Sequence, residues 1–90
     1  MKILKLTLKK KWFDMIASGE KTEEYRTPGK WMGSRLGGRS YDAVQFRNGY
    51  SRTSPVVTLE YLGWKCDHGR PEWGAPARPV IIIKLGKILT

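Results

Sequence analysis

The stretch SGEKTEEYR, residues 18–26, sets Lys21, Glu23, Glu24 and Arg26 within six positions. On an extended strand, residues two apart share a face, so Glu24 and Arg26 point the same way. A carboxylate beside a guanidinium fixes the direction of its planar fork. The free edge of that fork can then meet a phosphate or a base. Glu23 falls on the opposite face and is expected in solvent. Lys21, three residues from Glu24, joins the pair only if the strand begins irregularly, which Gly19 permits. The plainer alternative is a surface ion-pair network at a strand start, worth ~0–1 kcal/mol per pair.

Other residues could extend such a site. Trp31 lies between Lys30 and the Arg35–Arg39 region and is a stacking candidate, or it folds back onto the core. Arg47 and Asn48 offer donors for phosphates or base edges, while Asn48-Gly49 also reads as a tight turn. Glu72 and Trp73 sit in a loop that is unusually apolar. Trp73 would cover a cleft and Glu72 would supply an acceptor, or both merely pack the loop. Cys66-Asp67-His68 resembles part of a metal site. Zinc takes three or four ligands, and this is the only cysteine and the only histidine, so no metal or other cofactor is expected.

These residues must be positioned by short elements. In KILKLTLK, leucines at 4, 6 and 8 alternate with polar residues, the period of a half-buried strand. Trp12, Phe13, Ile16 and Ala17 follow at helical spacing, with Gly19 at the stop. Lysines 9–11 at the start of this helix oppose its dipole and hint at an external anion. EKTEEYR reads as a second strand, ended by Thr27-Pro28-Gly29. KWMGSRLGGRS reads as a loop or a single helical turn. DAVQFR and PVVTLEYLG read as strands three and four. Residues 64–79 read as a loop dense in glycine and proline. VIIIKLGKIL is the last strand. Its first four residues are apolar on both faces, as in a central or barrel-closing strand. Trp12 is expected in the core. The class is α+β: a small barrel or half-barrel with one main helix covering an end or a face.

The 90 residues make a single domain, 1–90. A hydrophobic fraction of 40% supports a globule. One cysteine excludes an internal disulfide, and the longest apolar run, Val80 to Ile83, is too short to span a membrane. The start interrupts every apolar run with lysine, unlike a signal peptide. The cytoplasm is the expected location. The net charge is +9, and residues 25–59 carry six basic side chains against Asp42 alone. Such a domain attracts polyanions, of which nucleic acid is the commonest, although a generic basic surface has the same composition. The pattern does not define an oligomeric state.

Gly19, Lys21, Glu24 and Arg26 spell G-x-K-x-x-E-x-R. Four fixed positions recur by chance on the order of once in 10⁵ sites. This motif, following a strand and an amphipathic helix, resembles the signature of the ASCH domain family, a branch of the PUA-like barrels. FRNGY, PEWGAP and IIIKLGKIL extend the resemblance over nearly the whole chain. It implies a PUA-like β-barrel of five to six mostly antiparallel strands. It also implies a basic cleft, where the motif meets the helix, binding RNA or a modified nucleoside through Lys21, Glu24 and Arg26; Trp31, Arg47, Asn48 and Trp73 are the further candidates read from their residue types. A few such proteins are hydrolases. The chain resembles the acetylcytidine amidohydrolases in Lys21, but Glu24 stands where they carry a threonine. Thr22 is two residues away, and Glu72 is the candidate for their later glutamate. A ribonuclease would use Lys21 on the phosphorane and Glu24 or Glu72 as base. A protein-interaction module, its basic face meeting an acidic partner, is the third alternative.

The charge generates one expectation independent of the fold. Affinity for single-stranded RNA should fall steeply with salt, with a log–log slope of about −0.7 per phosphate neutralised. A titration series over salt checks it. A flat dependence, or no binding at low salt, contradicts it.

Overall fold

The computed structural model describes residues 1–90, apart from the side chain of Trp31. The chain runs β1 (Ile3–Leu8), α1 (Lys10–Ala17), β2 (Glu23–Arg26), α2 (Lys30–Leu36), β3 (Ala43–Asn48), β4 (Val56–Asp67), a 3₁₀ turn (Pro71–Trp73) and β5 (Val80–Ile88). The five strands form one sheet in the order β1-β3-β4-β5-β2. Only β1 and β3 are parallel; the other pairings are antiparallel. The sheet curls into a half-barrel. Its two edges, β1 and β2, are not paired as strands. The Arg26 Nη2 on β2 instead donates to the Thr7 carbonyl on β1, at 3.0 Å. A side chain thus spans the seam that backbone hydrogen bonds leave open.

The inner face carries the core. Leu4, Leu6 and Leu8 alternate inward from β1, as their period requires. They meet Val44 and Phe46 of β3, Val57 and Leu59 of β4, and Ile81, Ile83 and Leu85 of β5. Phe13 and Ile16 of α1 and Met32 and Leu36 of α2 fill the concave side. Strand β5 is apolar on both faces over its first four residues, Val80 to Ile83, because both are covered there, whereas Lys84 and Lys87 are exposed. Ile82 is its outward residue opposite Tyr25, and Gly69 lies against the rings and methyls of Tyr25 and Ala75 there.

Two segments differ from the sequence reading. Residues 30–36 form a seven-residue helix rather than a loop or one turn. Gly33 and Ser34 weaken helix propensity, but Met32 and Leu36, four apart, reach the core together and hold it. Trp64–Asp67 extend β4 rather than begin the loop. The register with β5 shifts between Tyr61 and Trp64, and Gly63 takes a φ of +102° there, so a bulge lets pairing resume past it.

Among the described residues, Tyr61, partly buried against the core, is the one aromatic with an unmet buried polar group. Its ring packs edge-on against Tyr41 at 5.4 Å, and its buried hydroxyl makes no hydrogen bond to the described residues. Burial, then the neighbouring Tyr41, raises its pKa. Tyr61→Phe removes a desolvated hydroxyl that costs ~1–3 kcal/mol when unpaired. Thermal denaturation should show an equal or higher Tm; a clear fall would mean that the hydroxyl is bonded.

Candidate functional site

The site begins where α1 ends. Ser18 N–H donates to Asp14, Gly19 N–H to Ile16 and Lys21 N–H to Met15, each to the main-chain carbonyl. Gly19 holds a φ of +86°, the left-handed geometry that ends helices. The chain therefore folds back under its own helix before β2 starts at Glu23. This is the irregular junction that the period of a strand alone could not supply. It brings Lys21 beneath Trp12, with Nζ 5.0 Å from that ring and 5.4 Å from the Tyr25 ring.

Lys21, Glu24 and Arg26 meet as one cluster. Lys21 Nζ bonds Glu24 Oε1 at 2.7 Å, and Arg26 Nη2 pairs with Glu24 Oε2 at 2.9 Å. The side chains of Lys21 and Glu24 are only 2% and 6% exposed, against 24% for Arg26. The expectation of a weak, surface-type network is therefore corrected. Its cause is packing from outside the motif: Glu24 stands opposite Ile83 of β5, and Trp12 covers Lys21. Buried ions must be matched to offset their lost hydration. Two cations against one carboxylate leave a residual positive charge. Arg26 Nε is also buried and makes no hydrogen bond to the described residues. The cluster thus has surplus charge and a spare donor on Arg26, whose side chain is partly exposed while the Nε itself is shielded from solvent. Both oxygens of Glu24 are held by cations, so it cannot act as a general base without breaking an ion pair.

An open cavity of about 310 Å³ lies along the seam, lined by Thr7, Lys9, Trp12, Glu24, Tyr25 and Arg26 among others. A neighbouring one of about 480 Å³ shares Thr7, Leu8 and Lys9 and continues to Asn48, Gly49 and Tyr50. A third, of about 440 Å³, is mainly apolar, lined by residues such as Ile16, Leu59 and Leu85, and it, not the seam cavity, is the one that Gly19, Lys21 and Thr22 line. Tyr25 closes the outer side of the seam. Its hydroxyl donates to Glu23 Oε1 and accepts from the Arg70 N–H. Burial chiefly, with help from Glu23, raises its pKa to about 12, while the Arg70 N–H pulls the other way. Glu23 is on the face away from Glu24, as expected, but it is half-buried under this hydrogen bond rather than solvated.

The remaining sequence candidates separate. Asn48 lines the second cavity. Arg47 Nη1 donates to the carbonyls of Ser51, Arg52 and Ser54, so it builds the β3–β4 turn. Glu72 is 63% exposed, lies 4.0 Å from Arg70 and lines none of the three cavities. Trp73 is half-buried under the Arg70 guanidinium at 4.7 Å. The loop residue nearer the seam is Gly74, whose backbone lies against the Trp12 ring. The side chain of Trp31 lies outside the described residues. Sequence reasoning missed Thr7, Trp12, Tyr25 and Tyr50. Of these, Trp12 had a signal: it adjoins the lysines that α1 alone would not choose. Among the described residues no three metal-binding side chains converge, and no helix is long and apolar enough to cross a membrane. No family model, curated protein or solved structure matches the chain.

The burial of the cluster sets its energetics. Glu24→Gln leaves two cations without their carboxylate. Its expected cost is the ~3–5 kcal/mol of breaking a buried pair. Lys21→Met keeps the apolar stem against Trp12 and leaves Glu24 with Arg26, so it should cost less. Urea denaturation of both variants tests this. Losses below about 1 kcal/mol in both, the surface-pair value, would contradict it.

Proposed function

We propose that this chain is an ASCH-type, PUA-like barrel that binds RNA or a modified nucleotide in the seam cavity. The reading rests chiefly on Arg26. Its guanidinium is aimed by Glu24, tied across the seam to Thr7, and keeps a buried Nε–H with no acceptor among the described residues. A phosphate or base acceptor that meets the exposed part of the guanidinium would balance the surplus charge of the cluster, and a small shift of the side chain would let it satisfy that donor as well. Lys9 adds a second cation at the cavity wall, and Trp12 and Tyr25 add aromatic faces. The +9 charge supports a polyanionic partner. The G-x-K-x-x-E-x-R resemblance favours nucleotides over other anions. Binding without turnover fits the geometry better than hydrolysis, because Lys21 and Glu24 are engaged with each other and Glu72 is remote from the cavity.

The test is nucleotide and RNA binding by Arg26 variants. Arg26→Ala should weaken binding by about 1–3 kcal/mol, the loss of a charge-assisted contact. Arg26→Lys should not restore it, since a point charge lacks the fork. Glu24→Gln, assayed where it remains folded, should also bind more weakly although it gains positive charge. Tighter binding by Glu24→Gln would reduce the site to a charge patch. Release of cytidine from acetylcytidine would favour the hydrolase instead.

A further inference from the structure

We infer that the ligand is a single nucleic-acid strand longer than one nucleotide, which leaves the seam across Lys9 and stacks on Tyr50. This rests on the seam reading and adds a second subsite to it. The two cavities are neighbours on one surface. They share Thr7, Leu8 and Lys9 as a common wall, so only these residues separate a ligand in the first from the second. No carboxylate lines the second cavity, whose charged residues are Lys9 and Lys10. Asp14 holds Lys10 at 2.6 Å, while Lys9 makes no ion pair among the described residues. Lys9 is therefore the free cation between the two cavities, where a bridging phosphate would sit.

Tyr50 supplies what a base needs. It is 93% exposed, the most exposed large hydrophobic side chain of the molecule's described residues. The turn that presents it is anchored. Gly49 N–H donates to the Leu8 carbonyl, Asn48 N–H to that of Pro55, and Arg47 gathers three turn carbonyls. An aromatic ring on a fixed turn, at a mainly apolar cavity flanked by Lys9 and Lys10, is a stacking platform of the kind single-strand binders use, and it tolerates any base. Asn48 adds an amide at the same place. A cavity of about 480 Å³ is within the range that accommodates a ligand of nucleotide size.

The experiment compares a nucleoside monophosphate with oligouridylates up to a hexanucleotide, on the wild type, Tyr50→Ala, Tyr50→Phe and Arg26→Ala. Wild-type affinity should rise from mononucleotide to trinucleotide. Tyr50→Ala should lose about 5- to 150-fold on the oligomers, the usual range for one base–aromatic stack, and nothing on the mononucleotide. Tyr50→Phe should bind like the wild type. Arg26→Ala should weaken both probes. If affinity depends on Arg26 but not on length, or Tyr50→Ala binds oligomers normally, the second subsite is wrong and the seam reading stands. If neither probe binds, or Arg26→Ala changes nothing, both fall together.

Discussion

A single carboxylate, Glu24, is buried between Lys21 and Arg26, and the local architecture follows from satisfying it. Neither cation comes from a distant element; both lie within three residues along the chain. They converge because the chain turns back after α1, so that one cation approaches from before the strand and the other from within it. Removing charges from water costs several kcal/mol per ion unless geometry and hydrogen bonds offset it. Here each carboxylate oxygen has its own cation. Lys21 has in addition the faces of Trp12 and Tyr25, which attract a cation electrostatically. The arrangement fixes Arg26 in place without saturating it.

That fixation matters because of where β2 lies in the sheet. An open half-barrel has two edges, and edges present unpaired backbone groups that invite unwanted pairing. In this fold the gap between β1 and β2 is bridged by a guanidinium rather than by a ladder. One group then holds the edges together and looks out of the gap between them. The loop after β4 supports it from outside, through Gly69 on Tyr25 and Gly74 on Trp12. The helix start adds lysines that oppose the helix dipole, although Lys10 is paired with Asp14 one turn on. Structure and charge thus converge on the same corner of the molecule.

Much of this was legible locally. The alternation of Leu4, Leu6 and Leu8, the doubly apolar start of β5, and the shared face of Glu24 and Arg26 all follow from a two-residue period. Gly19 marked the helix stop and the irregular junction. What was not legible depends on long-range packing. Three charged residues among polar ones read as a surface, but β5 and Trp12, on other elements, help bury Lys21 and Glu24 and leave Arg26 partly exposed. Residues 30–36 look poorly helical until Met32 and Leu36 find the core. Arg47 reads as a ligand donor, but the carbonyls of its own turn lie closer. Tyr50 gave no pattern at all, since its exposure is a property of the folded turn.

The central claim is that Arg26 offers its Nε–H to an acidic ligand at the seam. The most direct measurement is the Nε–H resonance of Arg26 during titration with a nucleoside monophosphate. The account predicts that this proton, already shielded in the free protein, shifts saturably ahead of the resonances of the surface lysines. A resonance that stays unchanged while ligand perturbs residues elsewhere would contradict it.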